Sequence, residues 1–277
     1  MKPTIGITGA TGAIGGRVAH LLGVTGQPLR LLARPGADVS RLPPGAFVAP
    51  ATYADQEAMT HALAGVDTML FVSGREHRDR LEHHRRVVAA ATAAGVGKIV
   101  YTSFLGAAPD ATFTLARHHF HTEEAIKQSG ARYVFLRDSL YADLLPHFVV
   151  DDVIQGPAGT GRCAFVARAD VAAAAAAALV SDRFDGSTFA ITGPEALTLH
   201  EAASRLTSIL GRPIRYLQET EEEAYASRAR FGAPAWEVEG WVSSYLAIAR
   251  GEMDAVSSAV EVLTGHPPQS LEDCLIP

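Results

Sequence analysis

Gly9, Gly12 and Gly15 recur at three-residue intervals where an apolar strand-like run, Thr4–Thr8, gives way to a helical one. Residues lacking side chains at such a junction permit a sharp turn and let the backbone approach a pyrophosphate. The following helix offers unpaired N–H donors and the positive end of its dipole. The loop Gly9, Ala10, Thr11, Gly12, Ala13, Ile14, Gly15 follows the first strand and leads into a complete βαβ unit, so it is expected to hold a dinucleotide, with a ligand-free tight turn as the alternative. The end of the second strand selects the cofactor. An enzyme using NAD places Asp or Glu there for the ribose 2′-hydroxyl. Here the run Leu31–Pro35 carries Arg34, and no acid occurs before Asp38. A guanidinium pairs with a 2′-phosphate that a carboxylate would repel, so NADP(H) is the expected cofactor. Arg30 or Arg41 is expected as a further contributor, and a solvated loop arginine is the alternative for Arg34.

These groups need a scaffold, and the apolar periodicity supplies one. Strand patterns at Thr4–Thr8, Leu29–Ala33, Phe47–Ala49, Thr68–Val72, Lys98–Thr102 and Tyr133–Arg137 alternate with helical patterns at Gly12–Leu22, Asp55–Leu63, Arg78–Ala94 and Leu115–Ser129. Helices between short buried strands give an α/β fold with a doubly wound parallel sheet, the Rossmann arrangement. Asp143–Gly161, rich in Pro and Gly, reads as a loop or irregular segment. Helices follow at Ala169–Ser181, His200–Leu210 (N-cap Thr198, stop at Gly211), Glu219–Phe231, Ala235–Ala249 and Val256–Leu263, with strands at Thr188–Ile191 and Ile214–Leu217. The expected organisation is a nucleotide-binding domain over 1–142, rejoined by 162–192, and a smaller, mostly helical substrate lobe from 143–161 and 193–277.

Composition narrows the functional classes. A net charge of −6 over 277 residues argues against a nucleic-acid surface. Cys163 and Cys274 are the only cysteines, which gives neither a metal-ligand spacing nor a disulfide framework. The N-terminus lacks the pattern of a signal peptide. The alanine run Ala172–Ala178 is too short to cross a bilayer and reads as a helix packed closely on a sheet. The expected setting is cytoplasmic, without a membrane or metal, and Trp236 and Trp241 are expected in core packing. A homodimer is compatible with the sequence.

Thr8–Gly15 followed by Ala33-Arg34-Pro35 resembles the atypical short-chain dehydrogenase/reductases of the NmrA-like group. Tyr101–Phe104, His119–Glu123 and Leu136–Asp143 resemble stretches of that group's bacterial quinone and triphenylmethane reductases, and Arg168–Val171 and Phe189–Pro194 resemble motifs of the wider family. The resemblance spans residues 4–217. It implies a sheet of about seven strands, with Val72 and Ser73 beside the cofactor ribose and Thr102, Ser103, Asp138 and Tyr141 nearer the nicotinamide. Relatives often carry Asn where this chain has Asp138. The Tyr-x-x-x-Lys pair of ordinary short-chain dehydrogenases is absent, because Ala94 and Glu123 stand four positions before Lys98 and Lys127.

Two functions are open at this point. One is hydride transfer from NADPH to a small-molecule acceptor, a quinone or similar conjugated electrophile, which needs orientation and oxyanion stabilisation but no tyrosinate. The other is a non-catalytic NADPH-sensing regulator acting through a protein partner. The polar candidates for catalysis are Tyr141, Asp138 and His119. Leu115, His119, Thr122 and Ile126 recur at helical spacing, so His119 faces the sheet. Glu123, one turn on, is placed to hold or charge its imidazole. His118 and His121 are expected at the surface, and a hydrogen-bonded core histidine is the alternative for His119.

Overall fold

The structure is a computed structural model and describes residues 2–276. Its central feature is a seven-stranded sheet. In chain order the strands and helices are β1 (Ile5–Ile7), α1 (Ala13–Gly23), β2 (Leu29–Ala33), β3 (Phe47–Pro50), α2 (Gln56–Leu63), β4 (Thr68–Phe71), α3 (Arg80–Ala93), β5 (Lys98–Phe104), α4 (Thr114–Gln128), β6 (Arg132–Asp138), β7 (Val153–Gly156), β8 (Arg162–Cys163), α5 (Arg168–Leu179), β9 (Ser187–Ile191), β10 (Leu197–Thr198), α6 (Leu199–Leu210), β11 (Arg215–Gln218), α7 (Glu221–Arg228), α8 (Ala235–Ala249), α9 (Ala259–Thr264) and α10 (Leu271–Leu275). The sheet runs β3-β2-β1-β4-β5-β6-β9, and β1 pairs in parallel with both β2 and β4. That order reverses beside β1, the topological switch point at which such sheets bind ligands.

By internal packing the chain divides into two compact units. The first comprises residues up to Ser103, His118–Arg137 and Val171–Phe189; the second comprises Phe104–Arg117, Asp138–Asp170 and residues from Ala190 on. The first unit has an apolar core that includes Leu32, Met59, Leu63, Met69, Phe71, Val87, Ile99, Tyr101, Ile126 and Phe135. Strands β4 and β5 are buried at every position, as expected of parallel strands covered on both faces. Five residues of the run Ala172–Ala178 are buried, as a small-residue helix packed on a sheet requires.

The second unit has its own core around Leu145, Ile154, Phe165, Leu206, Tyr216 and Ile248. Here the reading of Asp143–Gly161 as irregular is corrected. A 3-10 helix covers Ala142–Phe148 despite Pro146, and β7 pairs in parallel with β11. Two glycines in this stretch answer to packing. A Cβ on Gly156 would lie 2.4 Å from the Tyr245 ring, and one on Gly161 would lie 2.1 Å from the Ile248 carbonyl oxygen, both on α8. Other boundaries shift slightly. The helix expected from Val256 begins at Ala259, and α10, with its Ser270–Asp273 capping box, was not expected. Thr198 caps α6 reciprocally with Glu201, and Gly211 ends it at φ 66°. Trp241 packs beside the small Ala224–Val238–Val242 cluster and meets Phe231 edge to face.

Candidate functional site

The glycine loop forms a cradle built to bring backbone close to a ligand. Gly9 takes φ 59°, which turns the chain out of β1. A Cβ on Gly15 would stand 2.4 Å from the Gly9 carbonyl oxygen, so only glycine lets α1 pack this tightly against the turn. Gly12 is the N-cap of α1 and supplies no side-chain acceptor, and the first turn holds no acidic residue. The donors and the positive dipole end of α1 are therefore left to an anion. Ala10 and Ile14 are buried, whereas Thr11 and Gly12 are exposed and Ala13 is half-buried. This cradle fits the diphosphate of a dinucleotide.

Arg34 is exposed just past β2, and no carboxylate among the described residues pairs with it. Asp38 turns to its own loop, with Oδ1 accepting the Ser40 N–H at 2.9 Å. Arg30, a second expected contributor, is committed elsewhere: it donates to the Ala62 and Ala64 carbonyls and stacks over Phe47.

The ends of β4 and β5 are fixed by hydroxyls. Thr8 Oγ1 accepts the Val72 N–H at 2.9 Å, and the Tyr53 hydroxyl reaches the Val72 carbonyl at 2.6 Å. Thr102 Oγ1 accepts the Ser73 N–H at 2.8 Å. Val72, Ser73 and Thr102 thus form one hydrogen-bonded edge.

Behind that edge lies a buried polar network. Arg80 donates through Nε to the Gly74 carbonyl at 2.8 Å, and its Nη2 lies 2.9 Å from His119 Nε2. A guanidinium only donates, so His119 Nε2 accepts and its proton sits on Nδ1, 2.9 Å from the Tyr101 hydroxyl oxygen. His84 Nε2 accepts the Gly74 N–H at 2.9 Å, which leaves Nδ1–H to the Thr122 hydroxyl at the same distance. Both polar groups of the Gly74 backbone are therefore held by α3 side chains, themselves braced from α4. His119 and His84 have pKa values well below that of free histidine, from burial first and the Arg80 charge next. Burial pushes the Tyr101 hydroxyl above its ordinary value.

His119 faces inward as its spacing requires, but Glu123 does not hold it. Glu123 Oε1 accepts from the Ser103 hydroxyl at 2.6 Å and from Arg137 Nε at 2.9 Å, while Oε2 takes Arg137 Nη2 at 2.6 Å. The guanidinium offers a two-pronged match that an imidazole lacks, so the carboxylate goes to Arg137. His121 is exposed as expected, whereas His118 is half-buried. Tyr53, Arg80, His84 and Tyr101 were missed as network members. A signal existed: Arg80, His84, Val87 and Ala91 continue one buried stripe of α3, which places two polar side chains in line with the core.

In the second unit, Asp138 is 1% exposed at the C-terminal end of β6. Its Oδ2 accepts from the Tyr141 hydroxyl at 3.1 Å, and its Oδ1 has no hydrogen-bond partner among the described residues. Burial pushes the Asp138 carboxyl well above the usual carboxylate range. The Tyr141 hydroxyl is raised too, by burial and then by the Asp138 charge. The neighbouring Asp143 carboxylate pairs with Arg168 and caps the start of α5.

Residues 9–182 match a protein family described as NAD(P)H-binding. Quinone oxidoreductase 2 of Escherichia coli strain K12 is 33% identical over 276 residues, covering 97% of this chain and 96% of that protein. The (4-alkanoyl-5-oxo-2,5-dihydrofuran-3-yl)methyl phosphate reductase of Streptomyces griseus is also 33% identical, over 96% and 95% of the two chains. Among solved structures, Citrobacter triphenylmethane reductase complexed with NADP(H) superposes with a TM-score of 0.86 at 30% identity and 98% coverage of both chains. No helix among the described residues is long and apolar enough to cross a membrane. The chain thus belongs to the NAD(P)H-binding family, within the NmrA-like group of atypical short-chain dehydrogenase/reductases, and is an NAD(P)H-dependent oxidoreductase.

Proposed function

We propose that this chain is an NADPH-dependent reductase whose acceptor is a quinone or a similarly conjugated electrophile. The observation that carries the reading is the cradle of Gly9, Gly12 and Gly15 without a competing cap, followed by an unpaired Arg34 in place of an acid at the end of β2. Supporting the acceptor class, the similar proteins are named for a quinone, a triphenylmethane dye and an oxo-dihydrofuran. Each is a conjugated electrophile that can take two electrons as hydride.

Bound NADPH supplies the hydride. The chain's own residues do the rest. Residues Gly9–Gly15 hold the diphosphate, Arg34 pairs with the 2′-phosphate, and Val72, Ser73, Thr102 and Ser103 line the ribose and nicotinamide side. The reduced acceptor then needs a proton and a partner for its new oxyanion. Asp138 is the proposed source. Burial favours the protonated form of its carboxyl, and because Tyr141 donates to Oδ2, the acid proton belongs on Oδ1, the oxygen without a hydrogen-bond partner among the described residues. His119, enclosed between Arg80 and Tyr101, is a positioning residue for the Gly74 backbone. Residues 1–142 and 162–192 are the cofactor domain in this reading, and 143–161 with 193–277 select the acceptor.

The test is NADPH oxidation, followed by nicotinamide absorbance, across a panel of quinones, a triphenylmethane dye and enones. Saturable turnover with at least one conjugated acceptor is expected. Tight NADPH binding with no oxidation by any member of the panel would instead mark a cofactor-sensing regulator.

A further inference from the structure

We infer that His77, Asp79 and His83 form a binding site for a divalent transition metal of the zinc, nickel or cobalt type, at the entrance to α3. The inference is independent of the acceptor reading, because it rests on three side chains of the first unit that contribute nothing to the core or the polar network. One ligand atom from each of the three lies within 4.8 Å of the other two. His77 Nδ1 and Asp79 Oδ2 are 3.7 Å apart. Two ligands bound tetrahedrally at about 2.0–2.2 Å from one metal stand roughly 3.3–3.6 Å apart, so the His77–Asp79 pair needs little closure and the pairs with His83, within 4.8 Å, need at most about 1.5 Å. The His77 and His83 rings lie stacked, with centroids 5.1 Å apart and planes 25° from parallel.

The donor set decides the kind of ion. Two imidazoles and one carboxylate suit zinc and its neighbours, whereas calcium and magnesium require mainly oxygen. Three protein ligands also leave positions open for water or a small ligand. Local structure pre-orders the set. The Asp79 N–H donates to His77 Nδ1 at 3.0 Å, the Arg80 N–H to the His77 carbonyl at 3.0 Å, and the His83 N–H to the Asp79 carbonyl at 2.9 Å. Coordination through His77 Nδ1 exchanges the first of these bonds for a metal bond and leaves the other two intact. Meanwhile Arg80 and His84 point inward to Gly74, so the residues beside the three ligands are anchored, while His77 and Asp79 are exposed and His83 is half-buried. The nearby Arg86 is occupied by Glu82 at 3.2 Å and the Ala54 carbonyl at 2.8 Å.

The experiment uses full-length protein without a polyhistidine tag, stripped with chelator, and titrated with Zn²⁺ and Ni²⁺ by calorimetry and with Co²⁺ by visible absorption. One equivalent is expected to bind, with the Co²⁺ spectrum reporting nitrogen–oxygen ligation. His77→Asn and His83→Asn should each weaken binding at least tenfold, while His61→Asn, at an exposed site on α2, should leave it unchanged. His61 and His77 are exposed and His83 is half-buried, and circular dichroism checks that each variant keeps the parental fold. Binding that persists at parental strength in the His77→Asn, His83→Asn double variant would overturn the assignment, as would the absence of saturable binding of any of the three ions.

Discussion

His119 should make the protein less stable in acid, and its replacement should relieve that sensitivity. In the native state the imidazole accepts from the Arg80 guanidinium at 2.9 Å and is 5% exposed. A second proton would have to sit on Nε2, pointing at a group that can only donate. Its pKa is accordingly depressed well below 6.5, first by burial and then by the Arg80 charge. In the unfolded chain the same imidazole takes up a proton at about pH 6.5. Below that pH the unfolded state binds one proton more than the native state, so stability falls as pH falls and is flat above it. While the native imidazole stays neutral, each pH unit below 6.5 costs about 1.4 kcal/mol for this one group. His84 adds a term of the same sign, and Asp138, whose native pKa is raised, adds one of opposite sign from about pH 4 upward. A parent-minus-variant comparison cancels both.

The variant is His119→Gln, whose amide oxygen can accept from Arg80 and whose N–H can reach Tyr101. Replacing a well-placed buried partner should cost about 1–3 kcal/mol at pH 7.5. Urea unfolding at pH 7.5, 6.0 and 5.0 measures the gap. It should narrow by about 1.4 kcal/mol per unit below pH 6.5, approaching 2 kcal/mol of closure at pH 5.0. A gap that stays constant, or widens in acid, would mean a native imidazolium and return His119 to the list of titrating catalytic groups.

Other outcomes follow from the same geometry. Arg34→Ala should weaken NADPH binding roughly tenfold or more, equivalent to about 1.5–3 kcal/mol for a charge-assisted contact, and leave NADH nearly unchanged by calorimetry. Equal affinity of the unaltered chain for both cofactors would remove the 2′-phosphate assignment. Gly15→Ala forces a Cβ to 2.4 Å from the Gly9 oxygen, against 3.1 Å for Gly12→Ala. It should therefore lower the thermal midpoint more than Gly12→Ala, with a penalty of about 1–3 kcal/mol, and equal midpoints would contradict that packing. Asp138→Asn should stabilise the protein increasingly as pH rises above about 4, because the unfolded carboxyl ionises there while the buried one does not. The same variant should lower quinone turnover about 10²–10⁴-fold with NADPH affinity unchanged. Parental turnover would move the proton source elsewhere.

Local chemistry explains which parts of this fold were legible from sequence. The glycine loop could be read because Gly9 and Gly15 answer to constraints inside fifteen residues: a positive φ and a carbonyl six residues back. The Thr198 cap and the Gly211 stop are local in the same sense. Segment 143–161 is the opposite case. Gly156 and Gly161 meet side chain and backbone of α8, about ninety residues on, and β7 exists because β11 pairs with it, so a residue type that punctuates loops marks close packing at these two positions.

The polar network shows a second limit, one of pairing. Helical periodicity correctly turned His119 inward, but periodicity cannot say which partner a buried polar group will find. The i, i+4 rule favoured Glu123, and that carboxylate had a better offer from Arg137, on the strand beside it. The imidazole instead took Arg80 from a different helix, and this changes its chemistry: a carboxylate partner would have raised its pKa, whereas a guanidinium lowers it. Choosing one neighbour over another therefore converts a candidate acid into a neutral brace. In the proposed function its effect on the reaction is carried through the Gly74 backbone and not through a proton, and stability against pH separates the two roles more sharply than turnover does.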